Sequence, residues 1–330
     1  MIARAVALSL LGAGLLAIVA CQSAGTGSPS QPAKRADDKP PPPPESQSVA
    51  ELRASLGNSE LNVRMRAVEE LGRRAPASAE AVDALVEALG DREALIRRFA
   101  AGGLAGVQAP SPPMLLALAR VLRDPEVDPR ESAARSLAAL APRAPAESVA
   151  DLGAALAAAV DYPQDSVRMH AVEALGGLGA RGARAVPAVK PALERALADA
   201  SDMVRGAAAA AIGQLGAGVP GTVALLMKAL ADDVHDVRKQ AVVALEKMGP
   251  DAAPATKAIA RLLRGKEIYL RVFAADALAA IGPGARAALP ELKAMARRGY
   301  KDIESSPEVE AKELPEAVQR AIRSIQKRKK

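Results

Sequence analysis

One dipeptide sets the terms for this chain. Val-Arg, or a near equivalent, returns along most of its 330 residues, with the arginines at Arg64, Arg97, Arg130, Arg168, Arg205, Arg238 and Arg271. The intervals are 33, 33, 38, 37, 33 and 33 residues. Three residues after each arginine stands alanine: Ala67, Ala100, Ala133, Ala171, Ala208, Ala241 and Ala274. Seven after it stands Leu or Ile, from Leu71 to Leu278. Twelve before it the residue is again aliphatic (Leu52, Leu85, Leu118, Leu156, Leu193, Leu226, Ile259), and so is the residue eight before. Self-similarity at a period of 20–50 residues marks a stack of like units rather than one globular core.

Each unit reads as two helices. Aliphatics twelve and eight before the arginine lie one turn apart on one helix face. Those at one before, three after and seven after line one face of a second helix. A short polar turn falls between them, with Asp91, Asp124, Asp199 and Asp232 each six residues before its arginine and Asn58 in that place in the first unit. After the second helix come Gly and Pro, as in "IGPGARAALP", suited to a helix C-cap and to the first turn of the next helix. A helical hairpin of this size cannot bury its own apolar face, so neighbours must stack. Composition agrees: half of the residues are hydrophobic, yet aromatics are 2% and Trp is absent, so the core consists of Leu, Val and Ala on closely approaching helices. Strand-forming composition is missing.

This pattern resembles the HEAT-repeat family, in particular the bacterial branch that also contains bilin-lyase-like proteins. The resemblance runs from about Val49 to Pro290. It implies an all-α fold, a right-handed α-solenoid of HEAT-type hairpins over residues 48–330, with seven clear repeats and a degenerate C-terminal cap around Ala317 to Ile325. In the family the Asp and Arg columns form an inter-repeat structural ladder near the start of the second helices. That role carries to Asp91 with Arg97, Asp124 with Arg130, Asp199 with Arg205 and Asp232 with Arg238. The expected carboxylate for each arginine is the one six residues away, and Arg64 and Arg271 extend the column. The fourth unit has Asp161 one place early and the seventh has Gly265, departures that weaken the ladder there.

The first residues lie outside this pattern. Arg4 is the only charge in residues 1–20, and an apolar run from Ala5 to Ala20 follows it. A positive start, a short apolar run and small residues before a break make a secretory signal. The run is shorter than the roughly 20 residues that a spanning helix needs. "IVAC" then places Cys21, the only cysteine, at the end of the run, and this resembles the lipobox of bacterial lipoproteins. That resemblance implies cleavage before Cys21, acylation of its thiol, usually of its new amine too, and a mature protein anchored in the cell envelope. Gln22, rather than Asp, favours the periplasmic side of the outer membrane over the inner membrane in enterobacterial-type sorting. Residues 21–47 form a Ser/Gly/Pro-rich tether that cannot bury a core, with Pro40 to Pro44 as a short stiff stretch.

The formal charge of +6 is uneven. Residues 311–330 carry seven basic and two acidic side chains, whereas residues 21–310 balance at 36 against 36. The basic tail suits an anionic surface or, equally simply, a solvated helix end favoured by the helix dipole. A nucleic-acid groove needs basic residues along the repeats, so nucleic-acid binding, the reading of HEAT-like DNA glycosylases, is the weaker alternative. His170 and His235 have no metal-ligand spacing, no metal or cofactor is expected, and no nucleophile elbow or phosphate loop occurs. His170 is expected to face solvent and His235 to lie in a turn. No catalytic constellation is found, so the chain reads as a non-enzyme, with a bilin-lyase-like activity or enzyme-subunit role as the alternative that the family resemblance keeps open.

Surface then remains as the functional feature. In HEAT-like stacks the second helices line the concave face. The column two residues after the arginine holds Arg66, Phe99, Ser132, His170, Ala207, Gln240 and Phe273, and includes both phenylalanines of the chain. Arg66, Phe99, His170, Gln240 and Phe273 are the candidate contacts for a protein or peptide partner, because exposed aromatics in a groove make good anchors. Packing of the rings against a neighbouring repeat is the competing reading. The expected protein is a membrane-anchored scaffold that holds a partner through this face.

Overall fold

The computed structural model describes residues 43–298 and 312–327, so the leader, Cys21, most of the tether and the last three residues of the basic tail lie outside the described residues. Within them the ordered elements are all helical. They fall into eight consecutive hairpins: α1 (Val49–Ser55) with α2 (Leu61–Arg74), α3 (Ala79–Ala88) with α4 (Ala94–Gly103), α5 (Pro112–Val121) with α6 (Val127–Leu140), and α7 (Val149–Ala159) with α8 (Asp165–Ala185). The series continues with α9 (Val189–Ala196) and α10 (Asp202–Leu215), α11 (Thr222–Ala229) and α12 (His235–Met248), α13 (Thr256–Leu262) and α14 (Ile268–Ile281), and α15 (Leu289–Arg298) and α16 (Leu314–Gln326).

The repeat columns form the core. Every alanine three residues after the arginine is at most 2% exposed, and every Leu or Ile seven after is fully buried. Alanine recurs because the second helices approach closely. A Cβ on Gly213 of α10 would stand 2.6 Å from the Ala244 Cβ of α12, and one on Gly103 of α4 would stand 2.9 Å from the Cα of Gly72 in α2. Successive second helices therefore pack over much more of their length than successive first helices do. The stack is tighter on the second-helix side.

Both ends of the described solenoid are closed by polar contacts. Ser48 caps α1, accepting from the Glu51 amide while its own amide donates to the Glu51 carboxylate at 2.7 Å, a capping box. Arg74 donates to the carbonyls of Pro44, Glu45 and Gln47 and so ties the end of the tether to α2. At the far end α16 buries Leu314, Ala317, Val318, Ala321 and Ile325 and packs chiefly on α14. This helix contains the expected Ala317 to Ile325 and takes the place of a second helix in the eighth hairpin. Ser324 donates to the Ala279 carbonyl at 2.7 Å, and Arg320 reaches Asp276 at 2.7 Å.

The long intervals have separate causes. Between α6 and α7 two short 3₁₀ turns, Ala141–Arg143 and Ala146–Ser148, lengthen the link. Between α8 and α9 the extra residues extend α8 to Ala185 through a kink at Gly179, whose φ of +58° glycine adopts without the strain of a Cβ.

Candidate functional site

The arginine column occupies the fourth position of each second helix, and its geometry differs from the expected pairing. Arg97 donates from Nε and Nη2 to Asp124 at 2.6 and 2.7 Å, a two-pronged pair with the carboxylate of the following repeat. Arg168 meets Asp199 at 2.8 Å through both nitrogens, and Arg205 meets Asp232 at 2.8 and 3.2 Å. Arg64 Nε lies 3.0 Å from Asp91. The aspartate six residues upstream supplies instead its main-chain carbonyl, as Asp91 does to Arg97 at 2.8 Å and Asp199 to Arg205 at 3.0 Å. Meanwhile the aspartate side chain accepts the amide two residues on, as Asp91 does from Glu93 and Asp232 from Val234. One carboxylate thus shapes its own turn and receives the guanidinium of the repeat before it. The expected pairs Asp91–Arg97, Asp124–Arg130, Asp199–Arg205 and Asp232–Arg238 are corrected to Arg64–Asp91, Arg97–Asp124, Arg168–Asp199 and Arg205–Asp232. A side chain reaching forward meets the next repeat's turn, whereas the fold places only backbone from its own turn within reach.

At the two irregular units the ladder changes partner. Asp161 pairs with Arg195 at 2.9 Å, leaving Tyr162 in the aspartate's place, so Arg130 keeps its bonds to the carbonyls of Asp124 and Pro125 but its buried Nε has no hydrogen-bond partner among the described residues. Opposite Gly265, Glu267 substitutes and receives Arg238 at 2.6 Å. Arg271 donates to the Gly265 carbonyl at 2.5 Å. The Arg168 guanidinium holds the Asp199 carboxyl below the ordinary carboxylate range, and Arg205 does the same for Asp232, in both cases against a smaller opposing effect of burial. For Asp124 burial is the larger single influence and pushes upward, but Arg97 and the Glu126 amide together outweigh it.

The second-helix side beside this ladder carries a groove of about 820 Å³ that crosses α6, α8, α10 and α12. Its depth has a local cause. Between Met203 and Gln214, the face that α10 turns to the groove bears only Gly206, Ala207, Ala210 and Ala211, a low stretch between α8 and α12. Met169 and Met203 line it, and Met203 is 53% exposed. His170 and Gln240, two of the candidate contacts, stand in it on either side of Ala207. His170 is not turned to solvent as expected: its side chain is 15% exposed, and Nδ1 lies 2.8 Å from Glu173. His235 is the first residue of α12, within 3.3 Å of Glu267, rather than a turn residue.

The other candidate contacts lie elsewhere. Phe99 lines a separate hollow of about 450 Å³ with Arg73, Arg98 and Ser132, between α2 and α6, whereas Arg66 is exposed on α2. Phe273 stands on α14 beyond the main groove. Both rings are half-buried and packed against the core, not exposed as the column alone predicts. Each has a cation over its face, Arg98 at 5.7 Å from Phe99 and Lys239 at 5.7 Å from Phe273. The groove floor itself, glycine and alanine, carries no functional signal in a sequence so rich in alanine. Among the described residues no cluster of His, Cys, Asp and Glu is suited to hold a metal ion.

Residues 49–138 and 152–246, together more than half of the chain, match the family model of HEAT repeats. The chain belongs to the HEAT-repeat family. Among curated proteins no sequence matches. Of solved structures, an engineered protein is similar at 22% identity and a TM-score of 0.55, over 84% of this chain and 78% of the other. The Escherichia coli protein YibA is similar at 18% identity and a TM-score of 0.54, over 85% and 94%. The complex of CpcE and CpcF of phycocyanin lyase from Nostoc is similar at 26% identity and a TM-score of 0.44, over 81% and 99%. The first two of these likenesses show the fold alone.

Proposed function

We propose that this HEAT-repeat protein is an envelope lipoprotein that holds a protein or peptide segment in the groove centred on α10. A lipid on Cys21 anchors it, and residues 22–47 space the solenoid from the membrane as a tether whose last residues Arg74 holds through the carbonyls of Pro44, Glu45 and Gln47. The observation that carries the reading is the groove itself. Consecutive second helices raise Met169, His170 and Gln240 around a stretch of α10 reduced to Gly and Ala, leaving a trough open along one side of the stack. Volumes of 300–1,000 Å³ are usual for ligand sites, and a trough spanning several repeats suits a chain segment better than a compact small molecule.

Site-specific photo-crosslinking in membranes tests this. A photoreactive residue at Met203 should give a discrete adduct that the same group at Lys257, exposed on first helix α13, does not. Gly206→Leu, which fills the floor, should remove the adduct. Equal labelling from both positions, or an adduct that persists in the filled groove, rules the reading out.

A further inference from the structure

Some acidic side chains at the second helices pair with cations: Asp128 with Arg98, Glu267 at the start of α14 with Arg238, and Asp276 with Arg320. The main groove holds carboxylates without such partners. Asp202 and Asp236 line it, both are exposed, and neither makes an ion pair among the described residues. Glu173 adds a third carboxylate, 45% exposed and shared only with His170. Arg135 is the only lysine or arginine on the lining. A solenoid whose repeats are neutral as a whole therefore presents a locally acidic trough with an apolar floor.

We propose that the occupant of this groove is a basic segment of a separate partner protein, bound in extended form with lysine or arginine side chains directed to Asp202 and Asp236. This rests on the reading of the groove as a docking surface and adds the chemistry of its occupant. The floor fits such side chains: lysine and arginine lay aliphatic stems on apolar surface while the charged head stays in water. Met169 and Met203 supply adaptable walls for the stems. Spacing agrees as well. Asp202 and Asp236 stand in the first turns of successive second helices, and packed helices lie about 8–10 Å apart. An extended chain in the polyproline II form has three residues per turn and advances about 3.1 Å per residue, so cations three residues apart share one side and reach both carboxylates. An acidic segment meets the opposite condition, because uncompensated like charges in a trough are repelled.

The test uses the mature chain with Cys21→Ser and two fluorescent nine-residue probes. One has lysine at every third position with leucine and alanine between, and the other has glutamate in place of lysine. The lysine probe should bind by fluorescence anisotropy and the glutamate probe should not. Asp202→Asn with Asp236→Asn should weaken the lysine probe about ten-fold, and raising salt to about 0.5 M should weaken the unaltered protein similarly. Gly206→Leu should abolish binding. Failure of the lysine probe to bind, equal binding of both probes, or indifference to the double asparagine variant overturns the basic occupant. Loss of the Met203 crosslink in Gly206→Leu membranes alongside any of those results leaves the docking groove standing with a different occupant. If deleting Lys327 to Lys330 raises the affinity for the lysine probe, the chain's own basic tail fills the groove and the foreign partner is overturned.

Discussion

Arg205 on α10 reaches forward to Asp232 in the turn before α12, Nε to Oδ2 at 2.8 Å, while Asp199, six residues upstream of it, is occupied by Arg168. The pair is largely buried, with the side chains 14% and 11% exposed. A double-mutant cycle on Arg205→Ala and Asp232→Ala should give a coupling on the order of 1–3 kcal/mol, as for a charge-assisted hydrogen bond. The cycle of Arg205→Ala with Asp199→Ala should give clearly less. Equal couplings would mean that the ladder runs within repeats rather than between them.

Acid should loosen the stack. Asp199, Asp232 and Glu267 have folded pKa values depressed by their arginine partners, so the unfolded chain takes up protons first as pH falls. Their stabilisation is complete above the ordinary carboxylate pKa of about 4 and is lost as pH drops through the lower folded values. Thermal melting should therefore hold steady from pH 7 to about 5 and decline below about 4, and Arg168→Ala should flatten part of the decline. A melting temperature unchanged down to pH 3 contradicts the ladder's electrostatic role.

Two glycines of α10 should answer oppositely to the same substitution. A Cβ on Gly213 would meet Ala244 at 2.6 Å, whereas one on Gly206 has nothing within 4 Å. Gly213→Ala should destabilise by about 1–3 kcal/mol through overpacking. Gly206→Ala should stabilise by up to about 1 kcal/mol, because alanine loses less backbone entropy in a helix. Chemical denaturation of both variants reads the difference.

The phenylalanines should matter to the fold. Phe99 and Phe273 pack against the core, so truncation to Ala should cost about 1–3 kcal/mol each. Phe→Leu should keep most of that stability. If the rings also contact a partner, capture will fall in Phe→Leu while the melting temperature holds; capture and melting temperature changing only together assigns them to packing.

At the N-terminus, Cys21→Ser should abolish incorporation of labelled palmitate and release the protein from membranes. Continued labelling would remove the lipobox from the account.

Much of the architecture was legible because it repeats. A column of alanine at one helical position and leucine or isoleucine one turn later, seven times over, leaves only stacked hairpins as a way to bury both, and α2 through α14 follow those columns. The irregular units were visible as well: Asp161 and Gly265 broke the column, and the structure replaces their pairings with Arg195–Asp161 and Arg238–Glu267.

Direction and depth were not legible. Nothing in a spacing of six says whether Arg205 prefers the aspartate behind it or the one ahead, because that depends on where the next repeat's turn arrives in space. Nor does a run such as "GAAAAAIG" announce a groove, since alanine serves equally as core and as an absence of surface. The floor of α10 becomes a trough only because α8 and α12 stand beside it with Met169, His170 and Gln240. The period and the buried columns belong to the sequence alone, where burial follows from helical spacing. Partner choice in the ladder and the shape of the groove belong to tertiary structure, where distances between repeats decide what one side chain can reach and what another leaves open.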